Sequence, residues 1–220
     1  MKVAEVLKQA EAFLFDFDGV VTDSEPYAFQ TLCAVMKEHF GIIPDDEDIA
    51  FTIGLDAHGV AAALSRKYSI HLSGDELINL LSTYPDFYTE YEGIKPFSGI
   101  PQLFKLLRER GKKIAIVSST RKAHLLSALK RMGLEDFPSL VIGGDSVEKR
   151  KPEAEPYLKA MRELGESCES ALAIEDSPVG ILAAKRAGLF VLAYKGSQVE
   201  QDTALADDTI RDYSELLELF

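Results

Sequence analysis

The chain has 220 residues, 46% hydrophobic and 27% charged, which suits one large domain or a medium one with a smaller companion. Its formal charge of −12 repels a phosphate backbone and no basic stripe interleaved with aromatics offsets this, so nucleic acid is not expected as a partner. No apolar run reaches the roughly 18 residues of a membrane span and the first residues lack the apolar segment of a secretory signal, so a cytoplasmic monomer that touches no membrane is expected.

The first strand-length apolar run covers residues 12–17. Residues 24–95 then hold helix-like segments at 28–40, 57–68 and 75–91, joined by Gly and Pro, with no buried strand among them. An insertion of that length is too long for a bare loop. It is expected to be a small helical domain over 23–94, set into a core formed by 1–22 and 95–220. Beyond it, apolar runs at 113–117, 140–142, 171–174 and 190–193 alternate with helical stretches at 100–110, 122–132, 156–164 and 179–187. Each of those helices stops at a glycine, Gly111, Gly133, Gly165 or Gly188. Strand, helix, glycine, strand predicts an α/β fold with a doubly wound parallel sheet covered on both faces. Cys33 and Cys168 lie far apart with no second Cys or close His beside either, so both are expected to be reduced thiols.

Parallel strands point the same way, so the residues after their carboxyl ends gather along one rim, where open α/β sheets bind ligands. Three runs deliver polar residues there: AFLFDFDG ends in Asp16 and Asp18, KIAIVSST in Ser118, Ser119 and Thr120, and ALAIEDSP in Glu175 and Asp176. Two carboxylates about 4 Å apart repel by roughly 4 kcal/mol at an effective dielectric near 20. Either something cationic sits among them, therefore, or some of them are protonated. Oxygen donors without His or thiolate favour a hard ion such as Mg²⁺, and Lys151, just before Pro152, supplies a second positive charge.

DxDGxxxDSE at 16–25, the hydrophobic-SS run at 118–119, KP at 151–152 and hydrophobic-EDS at 175–177 recur in an order that resembles the haloacid dehalogenase superfamily. Within it, the chain is similar to the beta-phosphoglucomutase-like phosphatases with a helical cap between the first and second motifs. The resemblance covers essentially the whole chain. It implies a phosphatase acting on a small phosphorylated metabolite, a sugar phosphate or similar monoester. Asp16 would be the nucleophile that forms an aspartyl phosphate, and Asp18 the general acid and then base. Ser118 and the Ser119 backbone N–H would hold phosphate oxygens, Gly19 would let the backbone approach the phosphate, and Lys151 would balance charge. Mg²⁺ would be held by the Asp16 side chain, the Asp18 carbonyl and Asp176, with Glu175 adding a direct or water-mediated contact.

Plainer readings stand beside these. Asp and Gly are common at strand-end turns, Ser118 to Thr120 suit the cap of the next helix, Lys149 and Arg150 suit a solvated charge run, and Asp176-Ser177-Pro178 suits a helix start. A mutase shares the core chemistry. Mutases of the family use a His, an Arg and a Lys in the cap, where this chain has Ala28, Ala57 and Tyr84, which favours hydrolysis; Arg121 and Lys122 keep a second anionic group possible. A phospho-accepting receiver would need neither Asp18 nor the insertion, and dehalogenation would leave Asp18, Glu175 and Asp176 without roles. Substrate choice is expected around Gly54 to His58 and Tyr84 to Tyr91.

Overall fold

The computed structural model describes residues 3–45, 57–197 and 201–220. Six strands, β1 (Ala12–Phe15), β2 (Lys113–Val117), β3 (Leu140–Ile142), β4 (Ala171–Glu175), β5 (Phe190–Tyr194) and β6 (Asp208–Ile210), form one parallel sheet in the order β3-β2-β1-β4-β5-β6. The chain starts in the middle and winds outward in both directions, so β1 has β2 on one side and β4 on the other. Ala12 pairs with Lys113 and Ala171, and Phe15 with Ile116 and Ile174, which brings the three strands to their carboxyl ends at one level.

Side-chain size sorts the two faces of the sheet. Ala12, Leu14, Ala115, Val117, Ala171, Ala173, Val191 and Ala193 make a mostly small-residue face, and α7 (Glu155–Leu164) and α8 (Pro178–Arg186) pack into it through Tyr157, Ala160, Met161, Ile181 and Ala184. The alternate residues, Phe13, Phe15, Ile114, Ile116, Leu172 and Ile174, are large and fully buried; Phe15 meets Phe104 of α5 (Ile100–Glu109) edge-on at 4.9 Å. The period of two along each strand thus sets a close-packed layer against a bulky one. A further core helix, α6 (Lys122–Arg131), follows β2. α7 ends at Gly165, whose φ of +70° is the left-handed stop expected there.

The chain divides into two compact units, Met1–Ser24 with Glu92–Phe220, and Glu25–Tyr91. The second is helical. Its α2 (Glu25–Phe40), α3 (Ala57–Tyr68) and α4 (Gly74–Leu81) enclose a small core of Leu32, Val35, Met36, Ala61, Leu64, Leu72 and Leu77. α4 begins with a capping box: Ser73 Oγ accepts from the Glu76 N–H, and Glu76 Oε2 accepts from the Ser73 N–H. The helix expected to run on to residue 91 stops at Leu81. Pro85 has no N–H to give to Leu81 O and disfavours a helical Tyr84, and Asp86 Oδ1 instead takes the N–H groups of Tyr88 and Thr89 into a turn.

Three elements lie outside the sequence expectation: α1 (Val3–Gln9), β6 and α9 (Ser214–Leu217). β6 buries only Ile210 of its three residues, too little apolar signal for a strand. No helix among the described residues is long and apolar enough to cross a membrane.

The first turn of α8 shows how tightly the core is drawn around the β4 terminus. Ser177 caps the helix by accepting from the Gly180 N–H at 3.0 Å, and a Cβ on Gly180 would stand 2.0 Å from Glu175 Oε1. Gly180→Ala therefore forces either the helix or the buried carboxylate to move. Overpacking of this kind costs about 1–3 kcal/mol, and a thermal melt should show Tm lowered by roughly 2–12 °C; an unchanged Tm would contradict this packing.

Candidate active site

The carboxyl ends of β1, β2 and β4 carry Asp16, Ser118 and Glu175 to one rim, and the backbone fixes each. The Asp16 N–H donates to Ile174 O at 2.9 Å and the Ser118 N–H to Ile142 O at 3.0 Å, so both residues are held by the neighbouring strand just past the ladder. Glu175 is the last residue of β4 and has no exposed surface. Asp176 follows it and is buried as well. The carboxylate oxygens offered by Asp16, Glu175 and Asp176 all lie within 4.8 Å of one another.

Lys151 enters this cluster from the loop between β3 and α7. Its side chain is 4% exposed, and Nζ donates to Asp16 Oδ1 at 2.9 Å, Glu175 Oε1 at 2.6 Å and Val117 O at 2.8 Å. All three ammonium hydrogens have acceptors. Lys149 and Arg150 beside it are exposed, and Arg150 Nε donates to Gly144 O.

Burial drives the electrostatics. It pushes the Asp16 carboxyl up to about 7, with the charge of Glu175 adding to the rise and Lys151 opposing it. Burial, then the charges of Asp16 and Glu175, push Asp176 up to about 9. For Lys151, burial works against the charge, but Asp16 and Glu175 together outweigh it and hold the ammonium well above the ordinary lysine range. Three close carboxylates around one ammonium leave excess negative charge when all are ionised. An all-oxygen donor set with that excess fits a small hard divalent cation such as Mg²⁺.

Asp18 is wired differently. It is half-buried, its Oδ1 accepts from Ser24 Oγ at 2.7 Å and its Oδ2 from Thr120 Oγ1 at 2.9 Å. Its side chain is outside the three-carboxylate cluster. Gly19 next to it has a φ of +77° and donates to Thr22 O, and a Cβ there would stand 2.0 Å from Asp176 Oδ2. The missing Cβ thus makes room for a carboxylate, a reason the sequence reading did not contain.

The capping role considered for Ser118 to Thr120 is not taken up. Ser118 Oγ accepts from the Thr120 N–H within its own loop, and the N–H of Lys122 at the start of α6 goes to Asp145 Oδ1 at 2.9 Å. Ser119 is exposed, and its carbonyl packs where a Cβ on Gly144 would stand 2.2 Å away. The Gly143-Gly144 pair after β3 therefore clasps the Ser118 loop. Asp176-Ser177-Pro178 does start a helix, with Ser177 as the cap, while Asp176 still reaches the cluster.

Sequence reasoning missed several contacts to these residues. Thr120 and Ser24 hold Asp18, Gln201 Nε2 donates to Asp176 Oδ2 at 3.0 Å, and Tyr157 Oη donates to Glu175 Oε1 at 2.6 Å. The Tyr157 hydroxyl is pushed well above its ordinary range, by burial first and then by the charge of Glu175, so it stays a donor. Tyr157 shares an apolar stripe with Ala160 and Met161 and so reads as core, and nothing in the sequence marks Gln201.

Among known proteins, the chain is 30% identical over 213 residues to the phosphoglycolate phosphatase of Aquifex aeolicus (strain VF5), covering 94% of each. It is 28% identical over 203 residues to the validoxylamine A 7'-phosphate phosphatase of Streptomyces hygroscopicus subsp. limoneus, covering 92% of this chain and 94% of that one. Its fold matches the crystal structure of a HAD-family hydrolase from Deinococcus radiodurans R1, solved with bound phosphate and sodium, with a TM-score of 0.80 at 27% identity over 94% of this chain and 93% of that one. A family model of haloacid dehalogenase-like hydrolases matches residues 13–194, which include every residue of the acidic cluster and Lys151. The chain belongs to the haloacid dehalogenase-like hydrolases, a family of hydrolytic enzymes.

Proposed function

We propose that the chain is a Mg²⁺-dependent phosphatase that hydrolyses a small phosphorylated metabolite, a sugar phosphate or similar monoester, through an aspartyl phosphate on Asp16. The observation that carries this reading is the buried Lys151 ammonium on Asp16 Oδ1, inside a cluster of three close carboxylates whose all-oxygen donor set fits a further hard cation. The relatives support the reaction class, since two of them are named as phosphatases of different monoesters and a third was solved with phosphate.

In this reading an Asp16 carboxylate oxygen attacks phosphorus, an O–P bond forms and the ester P–O bond breaks. Asp18 gives its proton to the leaving oxygen, its carboxyl held by the Ser24 and Thr120 hydroxyls. Asp18 then takes a proton from water, the water oxygen attacks phosphorus, and the Asp16–phosphorus bond breaks to release phosphate and restore the enzyme. Ser118 and the Ser119 N–H hold the phosphoryl oxygens, with Gly19 alongside, and Lys151 offsets charge on Asp16 and the phosphoryl group. Asp16, the Asp18 carbonyl and Asp176, with Glu175 directly or through water, would hold Mg²⁺, which when bound would neutralise charge on the phosphoryl oxygens. The helical unit serves as a cap that limits water access, and substrate choice falls to its residues around 57–58 and 84–91. The neighbouring candidates at 54–56 lie outside the described residues.

A phosphate-release screen over sugar phosphates, nucleotides and pyrophosphate tests the reading directly. Release from at least one small monoester with Mg²⁺ is expected, abolished by EDTA and lowered roughly 10³-fold or more in Asp16→Asn. Activity that survives Asp16→Asn would point to another nucleophile. With beta-glucose 1-phosphate and a bisphosphate activator, free phosphate should form faster than glucose 6-phosphate; the reverse would identify a mutase.

A second test needs no substrate. The folded-state values of about 7 for Asp16 and about 9 for Asp176 lie above the ordinary 3.8, so in metal-free protein these groups favour the fold below about pH 4 and lose that contribution as pH rises through 7 and 9. Mg²⁺ binds the deprotonated forms. Thermal melts in EDTA should therefore show Tm falling from about pH 5 to about pH 9, with the Tm gain from Mg²⁺ growing over the same interval. A gain that is flat with pH would place the ion elsewhere.

A further inference from the structure

Tyr157 has no part in the chemistry proposed above, yet its side chain touches both members of the buried ion pair behind Asp16. Its hydroxyl donates to Glu175 Oε1 at 2.6 Å, and Lys151 Nζ lies 5.1 Å from the centroid of its ring. Glu175 Oε1 thus takes two short bonds, from Lys151 and Tyr157. Oε2 takes two long ones, from the Asp176 N–H at 3.3 Å and Ser177 Oγ at 3.4 Å.

Neither Tyr157 nor Glu175 has exposed surface, so no bulk water can replace the phenol if it is removed. Tyr157 belongs to the apolar core cluster, and a hydroxyl on a fully buried side chain there would carry a desolvation cost without a partner. Phe would fill the same space. What the hydroxyl adds is the orientation of Glu175.

We propose that Tyr157 is a positioning residue: its O–H pins Glu175 Oε1 against Lys151 while its ring confines the ammonium, and the two together hold Lys151 on Asp16. The geometric claim stands on the contacts alone; its kinetic consequence rests on the phosphatase reading. Tyr157 does not contact the reacting atoms. Its effect passes through Lys151 to the charge on Asp16 and the transferring group, so its loss lowers kcat and leaves substrate KM nearly unchanged.

Two measurements on the full chain test this. Tyr157→Phe keeps the ring and removes only the hydroxyl. In ¹H–¹⁵N spectra of the lysine ammonium groups, the Lys151 signal, assigned by its disappearance in Lys151→Met, should be sharp in the wild type because all three hydrogens are bonded within the protein. In Tyr157→Phe it should broaden or shift. With Mg²⁺ and the best substrate from the screen, Tyr157→Phe should lose about tenfold in kcat with KM within about twofold. Tyr157→Leu, which also removes the ring, should lose more; if it fails to fold, the Phe variant decides. An unchanged ammonium signal in Tyr157→Phe overturns the proposal, and so does a wild-type kcat. If the wild type releases no phosphate from any compound, the phosphatase reading fails, and the ammonium spectrum alone decides the role of Tyr157.

Discussion

One buried ammonium makes the rim of this sheet possible. Lys151 sits among Asp16, Glu175 and the Val117 carbonyl with almost no exposed surface, and without it three closely spaced carboxylates would face one another across a desolvated gap. A buried ion pair is seldom a net source of stability, because desolvation cancels much of the attraction. Its value here is arrangement. The same desolvation that penalises the charges makes the partners of each one non-negotiable, so the ammonium fixes which carboxylate oxygens face inward.

The sheet is built to deliver that arrangement. Small side chains on one face let α7 and α8 approach closely, which brings Tyr157 under the end of β4 and Gly180 against Glu175. Gly19 gives Asp176 its space in the same manner, and Gly143 and Gly144 clasp the Ser118 loop. At each of these places a side chain or backbone atom occupies the volume that a Cβ would take. Core packing and site geometry are here one problem, so a single added methyl at Gly19 or Gly180 must displace either an acid or the backbone beside it.

Much of this was legible because parallel strands end in polar residues, and those polar residues make up the candidate site. Asp16, Ser118, Glu175 and Asp176 each stand at or just after the end of a continuous apolar run, and the ordered pairing of β1 with β2 and β4 brings those ends level. Tyr157 was not legible, because a residue in the apolar stripe with Ala160 and Met161 reads as core; only coordinates show its hydroxyl against a carboxylate. Gln201 carries no motif at all. The over-long helix has a different cause: Leu77, Leu80, Leu81, Tyr84, Phe87, Tyr88 and Tyr91 keep a helical period straight through Pro85. Periodicity records which residues are apolar, and the missing N–H of Pro85 decides where the helix stops.

Asp16 and Asp18 illustrate how a strand end separates two chemically identical groups. Phe17 between them is fully buried and anchors the turn, so neither acid can take the other's place. Asp16, tied by its N–H to β4, has an ammonium on one oxygen; Asp18, two residues on, has neutral hydroxyls from Ser24 and Thr120 on both. The fixed ammonium therefore holds Asp16 in one orientation, whereas the donors on Asp18 are hydroxyls that can rotate. Ser24 lies at the last residue before the helical unit and Thr120 in the loop after β2, so the geometry of Asp18 depends on two loops and that of Asp16 on the sheet.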